Sequence, residues 1–207
     1  MNKKPSIICQ GSGAEPGPAC LRDLTPEDGP ALLALLQSGA AEGLFSGEAA
    51  DLTVEHMQNF ILAASITAGD DFRAVSDEAG AFLGLIGLKD MSPQRAEFCI
   101  ALTPDARGKG LARAAAQQLL YEAFSREDGP ERVFVYTRPD NAVTCGFNRA
   151  MGFRPQAPEA DAAEETAALN WYGVSRENSW QGSGLAPTAP DGDFRHKKAP
   201  AKAGALL

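Results

Sequence analysis

The residues best suited to chemistry lie in the stretch 95–112, which reads R-A-E-F-C-I-A-L-T-P-D-A-R-G-K-G-L-A. An apolar run at 98–102 predicts a strand, and the Thr-Pro-Asp that follows ends it. The glycine-bearing turn 107–110 then opens a predicted helix whose apolar residues recur every four positions. A strand, such a turn and a helix N-terminus bring unpaired backbone N–H groups and the positive end of the helix dipole together. The stretch therefore predicts a site for an anionic phosphate group.

The spacing within this turn excludes two common phosphate-binding motifs. A P-loop requires G-x-x-x-x-G-K-[ST], but Lys109 is followed by Gly110 and position 103 is Thr. The dinucleotide fingerprint G-x-G-x-x-G fails because Arg113 stands at its third glycine. The remaining pattern, R-x-x-G-x-A at 107–112, resembles the pyrophosphate loop of the GNAT N-acetyltransferase superfamily, [Q/R]-x-x-G-x-[G/A]. On these residues alone, an ordinary turn between a strand and a helix is an equally good interpretation.

A second segment resembles the same superfamily. Residues 132–137 are β-branched and aromatic, which predicts a buried strand, and a short helix is predicted at about 142–151. From 141 to 153 the chain resembles the family segment N-x-x-[A/S]…G-F, with Thr144 where the family has Ala or Ser. Two segments in the family's order and at its separation strengthen the resemblance.

The predicted elements follow an α/β order: strand, two helices, three antiparallel strands, helix, strand, helix, strand. Beyond the segments above, strands are predicted at 19–24, 72–76, 81–89, 96–102 and 169–174, and helices from Thr25-Pro26 and at about 53–68. Between the last helix and strand, 156–165 is interpreted as an Ala/Pro/acidic linker.

The resemblance implies a single GNAT-like α/β domain over 19–176. Its expected architecture is a central mixed, mostly antiparallel sheet with helices on both faces and central strands that splay apart. Residues 1–18 are predicted to form a flexible arm, and 177–207 a disordered tail rich in Pro, Ala, Gly and Lys.

The composition narrows the classes of partner. A net charge of −8 argues against nucleic acid, whose binding requires a clustered basic face. The four cysteines have no metal-ligand spacing and are too sparse for a disulfide scaffold. No stretch resembles a signal-peptide core or a membrane span. We therefore expect a cytoplasmic protein, monomer or homodimer, without a metal, membrane or nucleic-acid partner.

The resemblance also implies acetyl-CoA as co-substrate and an amine as acceptor, either a small molecule or a protein N-terminus. The pyrophosphate of Coenzyme A would lie on the loop amides, and its pantetheine arm would run beside the strand at 100–103. The candidate cofactor-binding residues are Leu102, Thr103, Arg107, Gly108, Lys109, Gly110, Leu111, Ala112, Asn141 and Asn148.

Glu97 is the candidate catalytic residue, because many family members carry a Glu at the start of this strand that deprotonates the amine through water. Strand alternation places Glu97 on one face with Cys99 and Ala101, small residues that leave space for a substrate. An exposed carboxylate at a strand end is the alternative interpretation.

The general acid departs from the family pattern. Seven residues beyond Asn141, many GNAT enzymes place a tyrosine that reprotonates the sulfur of Coenzyme A, but this chain has Asn148. An amide has no titratable proton, although it hydrogen-bonds a thiolate or the pantetheine. Tyr136 and Tyr172 are candidate replacements that the sequence does not rank. Asn141 is also predicted to cap its helix.

Two hypotheses follow, and a third is weaker. The first is an acyl-CoA-dependent N-acyltransferase, most simply an N-acetyltransferase, that works by direct transfer in a ternary complex. The second is a non-catalytic acyl-CoA-binding or regulatory relative, to which Asn148 points. The third is an enzyme that binds a different phosphate-containing ligand. The motif order most resembles the ribosomal-protein alanine acetyltransferase branch, although Ala114 stands where that branch often has Glu.

Overall fold

The fold is known from a computed structural model that describes residues 6–7, 20–41 and 51–178. The predicted N-terminal arm lies outside the described residues except for Ser6–Ile7. The predicted C-terminal tail lies outside them except for 177–178.

The described elements alternate between strands and helices in the predicted order, with three short additions. The strands are β1 (Ser6–Ile7), β2 (Cys20–Asp23), β3 (Asp71–Ser76), β4 (Phe82–Lys89), β5 (Arg95–Leu102), β6 (Arg132–Thr137), β7 (Arg154–Gln156) and β8 (Asn170–Ser175). The helices are α1 (Gly29–Ala41), α2 (Val54–Ile66), α3 (Leu111–Ser125), α4 (Ala142–Ala150) and α5 (Glu164–Ala167). Short 3-10 helices at Pro26–Asp28 and Pro104–Ala106 precede α1 and α3.

The strands form one sheet in the order β1-β2-β3-β4-β5-β6-β8-β7. Its neighbouring strands are antiparallel except for the central pair, β5 and β6. That parallel pair is short, because pairing begins at Arg95 with Arg132 and ends at Glu97 with Phe134. Beyond Glu97 the two strands separate. The predicted mixed, mostly antiparallel sheet with splayed central strands is confirmed.

Two apolar clusters hold the helices on opposite faces of the sheet. The larger cluster packs α3 and α4 against residues such as Phe98 and Val133. The smaller one packs α1 and α2 against Leu85 and Ala101. Because Phe98 and Ala101 lie on opposite sides of β5, the alternation predicted for this strand is confirmed.

The prediction for 156–165 as a linker was partly wrong. The chain forms β7 at Arg154–Gln156 and α5 at Glu164–Ala167. Both elements are too short to show a periodicity, and β7 includes Pro155, which disfavours a strand in sequence. β7 exists because it pairs with β8 at the sheet edge, which is a tertiary effect.

Candidate active site

The turn from β5 into α3, residues 107–112, is named here the anion loop. Gly108 and Gly110 have φ angles of 73° and 78°, a backbone region that other residues rarely adopt. Among the described residues, no group accepts a hydrogen bond from the backbone N–H groups of 108–112. A Cβ built on Gly108 has nothing within 4 Å, so the loop is open on that side. The loop therefore presents unpaired donors in accessible space.

The N-terminus of α3 differs from those of α2 and α4. Thr53 caps α2 and Asn141 caps α4, each by accepting a hydrogen bond from a backbone N–H of the first turn. The N-cap of α3 is Gly110, which has no side chain to offer, and the first turn carries no acidic residue. The positive end of this helix dipole therefore has neither a side-chain cap nor an acidic residue in the first turn, a setting that suits an anion.

The shape of the anion loop is held from the strand that precedes it. Arg107 Nε donates a hydrogen bond to the carbonyl oxygen of Leu102 at 3.0 Å. The backbone N–H of Thr103 donates to Leu83 on β4 at 2.9 Å. Leu102 and Leu111 are buried, whereas Lys109 is exposed. Arg107 and Leu102 therefore support the loop, and the glycines and Lys109 face outward from it.

The splay leaves one edge of β5 open. β4 pairs with β5 as far as Leu102, but β6 pairs only as far as Glu97. No described strand pairs with the β6-facing edge of 98–102. An extended ligand with amide groups can add to such an edge as a further strand. This edge leads directly to the anion loop.

Helix α4 places two asparagines on one side, seven positions apart. Asn141 Oδ1 accepts a hydrogen bond from Thr144 N at 3.0 Å, which is the predicted cap. Asn148 is 1% exposed, and neither its Nδ2 nor its Oδ1 has a partner among the described residues. A buried polar group without a partner costs about 1–3 kcal/mol. Such a group is a candidate contact for a ligand.

Glu97 lies at the last paired position of β5 and forms an ion pair that the sequence did not reveal. Its Oε2 is 3.0 Å from Nζ of Lys89, the residue opposite it on β4. The Glu97 side chain is 15% exposed and that of Lys89 is 37% exposed. Burial opposes the charge on Lys89, but the hydrogen bond and the negative charge of Glu97 outweigh it and raise the pKa of Lys89.

Tyr136 on β6 lies on the same face as this pair, two residues beyond the residue that pairs with Glu97. Burial raises the pKa of Tyr136, and the charge of Glu97 raises it further, against the charge of Lys89. The Tyr136 ring packs on Trp171 at 4.9 Å between centroids. We name Lys89, Glu97 and Tyr136 the Glu97 cluster. It contributes one base, one cation and one hydroxyl from three adjacent strands where the sheet opens.

The small residues beside Glu97 leave less space than the sequence suggested. Cys99 lies opposite Gly87, and a Cβ on Gly87 would come within 2.4 Å of the Phe72 ring. The ring therefore fills the space above this part of the sheet. Burial and the charge of Glu97 raise the pKa of Cys99 to about 12, so its thiol stays protonated at neutral pH.

A second set of charges lies on the same face, two residues before Glu97. Glu159, whose side chain is 9% exposed, pairs with Arg95 at 3.0 Å and with Arg132 at 2.7 Å. Burial would raise the pKa of Glu159, but hydrogen bonds from the two arginines lower it. Asp161 also pairs with Arg95. These contacts fix the segment after β7 against the sheet beside the Glu97 cluster.

Known proteins resemble this chain in both sequence and fold. A family model described as an acetyltransferase (GNAT) domain matches residues 19–154. The chain belongs to the GNAT acetyltransferase family. An uncharacterised N-acetyltransferase of Chlorobaculum tepidum is 24% identical over 136 residues, which cover 65% of this chain and 75% of that protein.

Solved structures share the GNAT fold. The spermidine N-acetyltransferase of Vibrio cholerae, in complex with CoA and spermine, superposes with a TM-score of 0.66 at 16% identity, covering 78% of this chain and 97% of that one. A ribosomal L7/L12 alpha-N-protein acetyltransferase, RimL, in complex with Coenzyme A has a TM-score of 0.65 at 16% identity, covering 82% and 98%. At these identities the likeness shows the fold alone.

The structure brings together most of the predicted GNAT site and adds residues that the sequence analysis missed. The anion loop and the open edge of β5 are continuous, and Glu97 stands where that edge begins. Lys89 was missed because its role depends on the register of β4 and β5. Tyr136 was named but not ranked. The alternation of β6, which puts Tyr136 on the face opposite Val135, was the one signal available.

No group of three or more His, Cys, Asp or Glu side chains in 20–41 and 51–178 is arranged to hold a metal ion. No helix in these ranges combines the length and apolar character needed to cross a membrane.

Proposed function

We propose that this GNAT family member is an N-acetyltransferase that moves an acetyl group from acetyl-CoA directly to a primary amine in a ternary complex. The observation that carries the proposal is the set of unpaired N–H groups at 108–112, which lies beside the open edge of β5. Family membership alone gives an acetyltransferase. The donor is inferred from these groups, and the acceptor from the named neighbours and from the candidate base Glu97.

The anion loop would hold the pyrophosphate of the acyl carrier. Main-chain N–H groups and the helix dipole bind an anion without a dedicated side chain. Lys109, which is exposed beside the two glycines, adds a positive charge. The pantetheine arm, which carries amide groups, would extend the sheet along 100–103. This part of the chain lies beyond the point where β5 stops pairing with β6. This arrangement would bring the thioester to the point where β5 and β6 separate.

Glu97 would accept the proton of the attacking amine. A general base must lie within hydrogen-bonding reach of the amine, either directly or through one water. Glu97 stands at the opening of the sheet and is partly exposed there. Its ion pair with Lys89 fixes the carboxylate in one direction, which reduces the orientational freedom that the reaction must overcome.

Asn148 would contact the pantetheine or the sulfur end of the carrier. Its buried amide offers two donors and one acceptor, none of which has a protein partner among the described residues. The ligand would then satisfy a group whose burial otherwise destabilises the free protein.

Two classes of amine are proposed as the acceptor. The neighbours named above acetylate a polyamine and a ribosomal protein, and we propose for this chain either a small-molecule amine or a protein N-terminal amine. The net charge of −8 favours a cationic acceptor in general, without selecting between them. A cytoplasmic location and a monomeric or dimeric state stay predictions.

The test combines binding with turnover. Titration calorimetry should show acetyl-CoA binding, and release of free thiol should follow with at least one amine from a panel of polyamines, amino acids and peptides with free N-termini. Stabilisation against heat by nucleotides but not by acetyl-CoA would contradict the proposal and favour an enzyme of another phosphate ligand.

A second candidate is a non-catalytic acyl-CoA-binding relative. Two observations favour it. Asn148 stands at the position of the tyrosine that serves as general acid in many family members, and the Glu97 carboxylate is already paired with Lys89. Tight binding of acetyl-CoA with no thiol release across the whole amine panel would select this candidate.

A further inference from the structure

Direct acetyl transfer must deliver a proton to the departing sulfur, and Asn148 cannot supply one. This chain has three tyrosines. Tyr121 is on α3 and Tyr172 belongs to the apolar cluster that packs α3 and α4, so both lie away from the face that carries Glu97. The Tyr172 hydroxyl also accepts a hydrogen bond from Arg149 Nη2 at 3.4 Å. The structure thus separates the two tyrosines that the sequence left unranked.

Tyr136 is placed differently. It is two residues beyond Phe134, the last residue of β6 that pairs with β5, and so stands on the diverging part of that strand. Tyr136 is half-buried, and its ring is fixed by packing on Trp171 at 4.9 Å. Its side chain lies on the same face as Glu97, on the neighbouring strand, and Glu97 pairs in turn with Lys89 at 3.0 Å. Burial and then the charge of Glu97 raise the pKa of Tyr136.

Resting on the function proposed above, we propose that Tyr136 is the proton donor to the leaving sulfur and that Glu97 restores its proton. The amine nitrogen bonds to the carbonyl carbon, and the carbon–sulfur bond breaks with its electron pair on sulfur. One proton passes from the amine to Glu97, one from the Tyr136 hydroxyl to sulfur, and one from Glu97 to the phenolate. Both side chains return to their starting states, and the net result is one proton moved from amine to thiol.

The coupling between the two groups gives the relay its timing. While Glu97 is a carboxylate, its charge keeps the proton on Tyr136. Once Glu97 takes the amine proton, that charge disappears, and Tyr136 becomes a stronger acid at the step that needs one. The positive charge of Lys89 on β4 stabilises the phenolate form of Tyr136. The other titratable groups described on this face include Cys99, two residues beyond Glu97 on β5, and Glu159, which pairs with Arg95 and Arg132.

The first test is Tyr136→Phe, with Tyr121→Phe as the matched control. We expect kcat to fall by about 100-fold in Tyr136→Phe, the usual size of a general-acid contribution. The dissociation constant of acetyl-CoA, measured by calorimetry, should stay within about twofold, since the anion loop is unchanged. Tyr121→Phe should match the wild type in both. A full kcat in Tyr136→Phe, or a large loss in Cys99→Ala instead, overturns the relay.

The second test needs no turnover and keeps Tyr136 in place. In the Tyr121→Phe background, the ultraviolet absorbance of tyrosinate is followed as pH is raised, with and without Glu97→Gln. Burial and Glu97 raise the pKa of Tyr136, so removing the carboxylate charge should move one tyrosinate transition to lower pH. Identical titrations overturn the coupling. A wild type that binds acetyl-CoA without acetylating any amine would instead contradict the proposed function.

Discussion

The Glu97 cluster and the anion loop lie at the two ends of the open edge of β5, yet they are built in opposite ways. The loop consists of backbone donors that have no partner among the described residues, on a helix that has no side-chain cap. The cluster consists of side chains from three adjacent strands, and two of them, Lys89 and Glu97, are already paired with each other. In the function proposed above, one region receives an anion and the other passes protons.

This difference has a physical consequence for ligand binding. A donor exposed to solvent exchanges water for a phosphate oxygen and needs no rearrangement of the protein. A carboxylate in an ion pair must keep its partner or exchange it while it takes up a proton. We therefore expect changes in the loop to affect affinity and changes in the cluster to affect rate.

The largest effect is expected from Glu97→Gln. The amide keeps the size of the carboxylate but cannot accept the amine proton, so kcat should fall by about 10²- to 10⁴-fold. The dissociation constant of acetyl-CoA should not change, because the carrier is held on the other side of the opening. Thiol-release kinetics and calorimetry measure the two quantities.

The matched control is Glu127→Gln, which removes an exposed carboxylate between α3 and β6. It should behave as the wild type. If Glu97→Gln turns over at the wild-type rate, Glu97 has no part in the chemistry. The expectation that changes in the cluster affect the rate, and changes in the loop the affinity, would then be wrong.

Gly108→Ala tests the other half of the comparison, with Gly80→Ala as its control. Both glycines have positive φ, 73° and 85°, and a Cβ on either meets nothing within 4 Å. Each variant should lose about 1–2 kcal/mol of stability, because alanine disfavours this conformation. Only Gly108→Ala should weaken acetyl-CoA binding, by roughly tenfold, since one redirected N–H loses a hydrogen bond to a charged group. Equal affinity in the two variants would show that the loop does not bind the carrier.

Glu159→Gln tests how much the ion pairs of Glu159 with Arg95 and Arg132 contribute to stability. The variant leaves Arg95 and Arg132 without their shared carboxylate and should lose about 1–3 kcal/mol of unfolding free energy near pH 7. The pKa of Glu159 is lowered in the folded state, so its contribution is present above its ordinary value of 4.5 and is lost as pH falls below it. The difference in melting temperature between wild type and variant should therefore shrink at acidic pH.

Asp161→Asn is the control for that measurement, because its side chain is 66% exposed. It should change the melting temperature little at any pH. A constant difference between wild type and Glu159→Gln across the acidic range would contradict the role of the carboxylate charge.

The smallest effect, and the only stabilising one, is expected from Asn148→Leu. Leucine replaces two unpaired buried polar atoms with apolar atoms of similar volume, which should raise the unfolding free energy of the free protein by about 1 kcal/mol. Acetyl-CoA should bind more weakly, because its contact with the amide is lost. Asn141→Ala on the same helix should change stability in the opposite direction, by about 1 kcal/mol, since it removes the cap. An unchanged affinity of Asn148→Leu for acetyl-CoA would remove Asn148 from the ligand site.

The sequence predicted the local structure of the loop at 107–112 well, because every feature of that structure is local. Gly108 and Gly110 adopt the conformations that the motif requires, and the strand before them and the helix after them begin close to the predicted positions. The cap at Asn141 is local in the same sense.

The Glu97 cluster was only partly predictable. A hairpin closed by the predicted turn at 90–94 would set Lys89 opposite Arg95, whereas the observed register sets it opposite Glu97. The turn closes instead through a hydrogen bond from Ser92 N to the carbonyl oxygen of Arg95 at 2.8 Å, and Met91 N donates to Gly69, far away in sequence. Such contacts have no signature in a single strand.

By itself the sequence determined the family, the order of the elements and a glycine-shaped loop at the start of α3, because periodicity, capping and backbone freedom act over a few neighbouring residues. Only the tertiary structure decided which side chains stand together where β5 and β6 separate. Lys89, Glu97 and Tyr136 lie on three different strands, and their distances depend on strand register and on packing across the whole sheet.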